Sequence, residues 1–304
     1  MNLNKEILKE LIEKISIEKN IDSFIIEKDY YVTLLLKQIV TRDNNFVFKG
    51  GTSLSKCHKV INRFSEDIDL NYDYNGTIPT KAKRYFINEV VEESAKKCGL
   101  ILTNFKDIKK DNDYIKYNFS YSKLFGGMGY IKPEVEVETA FFLDSNPIEV
   151  KKANSIIGEY LLEKNRLDII EKYGLNEFDV KVQSCIRTFI DKTIAICDYY
   201  YENRSNTTSR HLYDLYKLMP LIEFDDEFYN LFYSVYKNRI DKKIGQQYKL
   251  NTKISDQLNM IVETNFYKDD YNFNTLNICI EKITYEKVIE NIKNIIIQLS
   301  KQNW

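Results

Sequence analysis

A short apolar run, Phe46-Val47-Phe48, ends in Gly50-Gly51, and the pattern from Thr52 to Val60 can resume as a helix, giving strand, glycine turn and helix in succession. The next segment, Asp67-Ile68-Asp69-Leu70, alternates as a strand does. Both carboxylates then share one face, and Ile68 and Leu70 share the other. Fifteen residues separate Gly51 from Asp67. Glycines at a strand-to-helix turn let backbone approach a phosphate chain closely, and the N–H groups that open the helix favour negative charge. Ser53 and Ser55 add hydroxyl donors. Two aspartates side by side repel each other and become stable when they share hard cations such as Mg2+. A phosphate cradle beside paired metal carboxylates describes nucleotidyl transfer.

The rest of the chain fits long regular elements around sizeable cores. It has 304 residues, 43% of them hydrophobic, with only 10 glycines and 4 prolines, which excludes collagen-like and loop-dominated designs. Lys+Arg (44) against Asp+Glu (45) leaves a net charge of -1, so any surface for nucleic acid must be local. Five scattered cysteines without a CxxC pair, and two histidines, make neither a zinc cage nor a disulfide framework. The N-terminal residues alternate apolar and charged at helical spacing, without the apolar core of a signal peptide, and no segment has the ~20 apolar residues that span a bilayer. A cytoplasmic protein without membrane contact is expected.

Periodicity predicts helices over 3–19, 22–40, 52–60 and 80–97, and strands over 67–72, 100–106, 113–122 and 130–142 around a Gly126-Gly127-Met128-Gly129 turn. After Pro147 the pattern is helical, over 155–171, 183–203, 210–219, 226–244, 254–266 and 275–299, apart from an extended piece at 178–182. The fold class is α+β: residues 1–150 form a module with N-terminal helices and strands, and residues 151–304 form a mostly helical one.

Glycine turn and Asp-x-Asp, preceded by Arg63-Phe64-Ser65-Glu66, resemble the signature of the polymerase-beta-like nucleotidyltransferase fold. More narrowly, KGGTSLSKCHKVINRFSEDIDL resembles the AbiEii/AbiGii family of nucleotidyltransferase toxins, the toxin half of type IV toxin–antitoxin and phage-abortive systems. Ile26-Glu27-Lys28-Asp29-Tyr30-Tyr31 is similar to that family's N-terminal helix motif. Phe189-Ile190-Asp191-Lys192-Thr193-Ile194-Ala195 resembles its lysine helix, and Ser209-Arg210-His211-Leu212-Tyr213-Asp214-Leu215 its RHxYDL-type segment. The resemblance covers about residues 24 to 218. It implies that Asp67 and Asp69 hold the metals and that Gly50, Gly51, Thr52 and Ser53 line the phosphates. It implies further that Lys192 reaches the triphosphate and that Asp214 completes the site from the helical module; a lysine suits a triphosphate as a point charge, and Asp191 or Asp198 nearby could orient it.

Other positions are less determined. Lys56 is a further candidate for the phosphates. Arg63 and Ser65, just before the metal strand, are candidates for phosphate or ribose, unless Arg63 pairs with Glu66. Glu134, Glu136 and Glu138 alternate, so all three share a strand face; Glu136 is favoured over Glu138 as the third carboxylate, against the alternative of a solvated edge strand. Lys237, Arg239, Lys242, Lys243 and Lys249, interleaved with Tyr236 and Tyr248, suit an RNA backbone and unpaired bases, or else form a solvated helix face.

The mechanism implied is attack of an acceptor hydroxyl on the α-phosphate of an NTP, with two Mg2+ ions, or Mn2+ in their place. The resemblance implies an RNA acceptor, the 3′ end of tRNA in the first instance, with inhibition of translation and growth as the result. It also implies an antitoxin encoded nearby that forms no stable complex. Two readings from other classes stay open: a small-molecule nucleotidyltransferase, which needs an acidic cleft, and a non-catalytic nucleotide-binding interaction protein, which would have lost a metal carboxylate.

Overall fold

The computed structural model describes residues 3–73, 80–108, 114–126, 133–140, 144–250 and 252–302. The chain divides into two compact units, Met1–Cys57 with Ser65–Val182, and His58–Phe64 with Gln183–Trp304.

The first unit opens with α1 (Lys5–Lys19) and α2 (Ser23–Arg42), followed by β1 (Phe46–Lys49), α3 (Gly50–Lys56), β2 (Ile68–Tyr72) and α4 (Thr80–Lys97). Then come β3 (Ile101–Leu102), β4 (Tyr114–Ser120), β5 (Glu134–Ala140), β6 (Ile148–Ala153), α5 (Ile156–Glu163), α6 (Leu167–Tyr173) and β7 (Phe178–Gln183). Among the described residues the strands make one seven-stranded sheet in the order β3-β4-β5-β2-β1-β7-β6. The aspartate strand β2 is central, antiparallel to β1 and parallel to β5, and β4 runs antiparallel to β5.

Capping and apolar spacing account for the helices that cover it. Asn4 accepts from the Ile7 N–H at the start of α1, and Asp22 from the Phe24 N–H at the start of α2. Val32, Leu35, Leu36 and Ile39 of α2 bury in one core with Phe46, Phe48, Ile68 and Leu70, which fixes β1 and β2 against that helix. Leu8, Ile12 and Ile15 of α1 join Tyr30, Ile157 and Tyr160 in a second core. Each such side chain contributes about 1.5–3 kcal/mol on burial.

Several boundaries differ from the sequence expectation. The first unit runs past residue 150, because β6 and β7 belong to its sheet. β6 is an edge strand carrying Glu149, Lys151 and Lys152, and charges on an edge hide the alternation that marks a strand. The helix expected over 155–171 is two, parted where Asn165 takes a φ of 54°. α3 ends at Lys56 instead of Val60; Lys59 has a φ of 56°, and residues 58–64 leave for the second unit. The strand expected over 100–106 shortens to Ile101–Leu102. Gly127, Met128 and Gly129 of the expected turn lie outside the described residues.

The second unit comprises α7 (Cys185–Tyr201), α8 (Arg210–Leu218), α9 (Asp226–Asp241), α10 (Ile254–Thr264), α11 (Lys268–Asp270), α12 (Leu276–Ile278) and α13 (Tyr285–Leu299). α8 packs on α7 and α13, α10 on α7 and α13, and α9 on α7. Phe189, Ile194, Leu212, Leu215, Phe228, Phe232, Leu258, Ile261, Ile292 and Ile295 are among its buried apolar residues. Residues 62–64 join it as a short antiparallel bridge: Arg63 pairs with Cys279, the Phe64 N–H donates to the Ile278 carbonyl at 2.8 Å, and the Ile280 N–H to the Asn62 carbonyl at 2.9 Å. No helix among the described residues is long and apolar enough to cross a membrane.

Candidate active site

Pairing across four strands sets out a row of charged residues on one face of the sheet. Lys49 of β1 is opposite Asp69 of β2, Asp69 is opposite Glu138 of β5, and Glu138 is opposite Lys116 of β4. Directly paired residues share a face, so this row is a consequence of register. Asp67 lies just before β2, which starts at Ile68, and its charge acts on both Glu138 and Lys116. Glu136 lies one rung along β5, opposite Asn118.

Glu138, not Glu136, is therefore the carboxylate beside Asp69. Alternation in PEVEVET gives the face but not which glutamate meets the aspartate; the β2–β5 register decides that. Burial pushes the Glu138 carboxyl above its usual range, and the negative charges of Asp69 and Asp67 add to the shift, against hydrogen bonding from Tyr114 and the Lys116 cation. The Lys116 ammonium contacts Glu136 and lies 3.7 Å from Glu138 Oε1. Partial burial works against its charge, but these glutamates and Asp67 outweigh burial and raise its pKa. Tyr114 and Lys116, alternating on β4, are parts of this face that sequence reasoning missed.

Gly50 closes the row on the other side. Its φ is 75°, and a Cβ there would come within 1.9 Å of Asp69 Oδ2. Glycine is needed here both for the left-handed backbone and for the space the carboxylate occupies. Gly50→Ala is expected to reduce nucleotidyl transfer about a hundredfold by displacing Asp69, with far-UV circular dichroism unchanged. A folded alanine variant with full activity would show that Asp69 need not sit where it does.

The hydroxyls of the turn serve the turn itself. Ser53 Oγ donates to the Gly50 carbonyl at 2.9 Å, Ser55 Oγ to the Thr52 carbonyl at 3.0 Å, and the Thr52 and Ser65 hydroxyls meet at 2.9 Å. Thr52 and Ser53 are buried. Lys56, expected to face phosphates, is also buried; its ammonium contacts Asp29 and lies 3.4 Å from the Asn154 carbonyl. The IEKDYY motif of α2 is thus a brace for the site. Glu27 accepts from the Leu124 and Phe125 N–H groups, Lys28 pairs with Glu66 at 2.5 Å, and Asp29 holds both Lys56 and the Ile156 N–H.

Arg63, Lys192, His211 and Asp214 form a charge cluster in the helical unit. Arg63, a candidate for phosphate or ribose with Glu66 as its alternative partner, instead donates through Nε and Nη2 to the two oxygens of the fully buried Asp214 at 2.6 and 2.7 Å. Lys192 Nζ is 2.7 Å from Asp214 Oδ2 and 3.0 Å from His211 Nδ1. Burial would raise the Asp214 pKa, but the two cations hold it far below the carboxylate range. Burial lowers the Lys192 pKa despite Asp214, and lowers that of His211 strongly, with Lys192 adding to the effect. Asp191 and Asp198 do not orient Lys192: Asp191 accepts from Gln183 and Arg187, and Asp198 from Arg239 and Gln246.

The basic stretch divides in the same way. Lys237, Lys242, Lys243 and Lys249 are exposed. Arg239 is not available to a phosphate, because its Nη2 donates to Asp198 Oδ2 at 2.7 Å and its side chain is largely buried. Among the described residues no group of three or more His, Cys, Asp or Glu side chains is placed to hold a metal on its own. Two carboxylates completed by substrate oxygens are the arrangement the aspartate strand offers.

A comparison with curated proteins gives no match. Among solved structures the chain is similar to MenT4, a nucleotidyltransferase toxin from Mycobacterium tuberculosis H37Rv, with 17% identity and a TM-score of 0.57 over 92% of this chain and 84% of that one. At that identity the likeness establishes a shared fold. The family model for the nucleotidyl transferase AbiEii toxin of type IV toxin–antitoxin systems matches residues 34–284, which takes in the glycine turn, both aspartates, the lysine helix and Asp214. The chain therefore belongs to the AbiEii family of nucleotidyltransferase toxins.

Proposed function

We propose that this toxin transfers a nucleoside monophosphate from an NTP to a hydroxyl of an RNA, with Mg2+ held by Asp67 and Asp69. The observation that carries the reading is the placing of Asp69 between a glycine with no room for a side chain and a second carboxylate, Glu138, directly opposite it across the β2–β5 pairing. Like charges brought this close, in a half-buried setting, are the donor set that a hard divalent cation satisfies. When bound, Mg2+ supplies charge neutralisation for the reacting phosphate and the leaving pyrophosphate, and Mn2+ or a second Mg2+ can share that work. Glu138 completes the acidic face. Gly50 and Gly51 leave the backbone of the turn open to phosphate oxygens, while the hydroxyls of Thr52, Ser53 and Ser65 keep its shape. Lys192, for which the family implies a triphosphate role, contacts Asp214 and His211 within the helical unit, and Asp214 variants test whether that cluster serves the chemistry.

The exposed lysines Lys237, Lys242, Lys243 and Lys249 support an RNA acceptor, for which a tRNA 3′ end is the first candidate, with blocked translation as the outcome. Type IV membership supports a cognate antitoxin, proposed to be encoded nearby, and action in the cytoplasm. The test is incubation of purified protein with each labelled NTP, Mg2+ and total cellular RNA. Label in RNA is expected; label only in small molecules would point to a small-molecule nucleotidyltransferase.

Charge reversal addresses the acceptor separately. Lys242→Glu with Lys243→Glu is expected to lower transfer to RNA about tenfold at low salt while NTP binding is unaltered, since each lost phosphate contact weakens the salt-dependent term. The gap should close as salt rises. Equal RNA transfer at low salt would place the acceptor elsewhere.

A further inference from the structure

We propose that Lys116 is a built-in counter-cation of the carboxylate row and competes with the divalent metal for it. The inference rests on the reading of Asp67 and Asp69 as metal ligands. The row gathers Asp69, Glu136 and Glu138 on one face, with Asp67 just before β2, an arrangement that repels itself in the absence of a cation. β4 answers this with one residue. Lys116 is fixed opposite Glu138 by a pairing that runs from Tyr114 to Ser120 along β5, and its ammonium reaches both glutamates. The side chain keeps 43% of its exposure, so the cation stands at the open edge of the row and not beneath it. A flexible four-carbon stem carrying a point charge can swing aside without disturbing the sheet.

Two consequences follow. A bare metal ion must enter against the field of Lys116 and lose the Lys116–glutamate attraction. A metal that arrives with a triphosphate brings anionic oxygens with which the displaced ammonium can pair. Lys116 therefore disfavours the metal alone more than the metal–nucleotide complex. A unit charge several ångströms from a divalent ion in a partly hydrated site changes its affinity about tenfold.

The experiment is Mn2+ binding without nucleotide, read by the electron paramagnetic resonance of free Mn2+ at low ionic strength. Lys116→Met is expected to bind Mn2+ about tenfold more tightly than wild type. Lys116→Arg, which keeps the charge, and Lys97→Met, which removes an exposed charge at the end of α4, should bind as wild type does. Addition of a non-hydrolysable NTP analogue should narrow the gap between Lys116→Met and wild type. Equal or weaker Mn2+ binding in folded Lys116→Met overturns the proposal, and Lys116→Gln gives the same comparison should the methionine variant not fold. Asp69→Asn keeps the two readings apart: it should abolish Mn2+ binding, and if it does not, the metal site itself is wrong whatever Lys116 does.

Discussion

Asp69→Asn is expected to lower nucleotidyl transfer about a thousandfold, the scale on which loss of a charge-stabilising group at a reacting centre is felt. Stability should hardly change. Asp69 is half-buried on the central strand, and its packing is preserved by an isosteric amide. Burial is the main cause of the raised Glu138 pKa and the Asp69 charge adds to it, so the substitution should bring that carboxyl part of the way back towards its ordinary value. Steady-state transfer with labelled NTP, chemical denaturation, and carboxyl titration by NMR measure the three effects. Asp67→Asn should behave similarly in transfer. Wild-type activity in a folded Asp69→Asn protein would remove the row from the chemistry.

The contrast between Asp69 and its neighbours shows what a sequence carries. Gly50-Gly51 and Asp67-x-Asp69 were legible because each depends on local geometry: a positive φ at a turn, and two carboxylates on one strand face. Glu138 and Lys116 were not, because they reach Asp69 through the pairing of β2, β5 and β4, and register is a tertiary property. Nor could spacing tell which charges were already spent. Lys56, Arg63 and Arg239 look like phosphate ligands in sequence, yet Asp29, Asp214 and Asp198 hold them. Their partners lie 27, 151 and 41 residues away, too far for any periodic pattern to reveal. The edge strand β6 was missed for a related reason, since its charged residues protect an edge instead of marking a face.

Asp214→Asn should destabilise the protein by about 3–5 kcal/mol, because it leaves Arg63 and Lys192 buried around a neutral amide. The sign of the pH dependence follows from the same group. The folded-state pKa of Asp214 lies far below the unfolded value of about 3.9, so its contribution is present above that pH and is lost as pH falls towards the folded value. Wild type should lose stability steeply on that acid limb, and Asp214→Asn more gently. His211 adds a separate slope: its folded pKa is well below the ordinary one, so the unfolded chain takes up the proton first, and stability drops as pH falls through about 6.5 in both proteins. A double-mutant cycle with Arg63→Met and Asp214→Leu should show strong coupling, since replacing both members by apolar groups removes the unpaired charge that makes each single change costly. Lys192 remains in every member of the cycle and sets how far the double variant recovers. Urea denaturation of Asp214→Asn and of the four proteins of the cycle, from pH 7 down through the acid limb, gives these quantities, and transfer activity is read on the same samples. If Asp214→Asn keeps wild-type stability and loses only transfer, Asp214 acts on the substrate and the cluster is catalytic. If stability falls as expected and the recovered double variant still transfers, the cluster holds the helical unit together and the chemistry belongs to the carboxylate row.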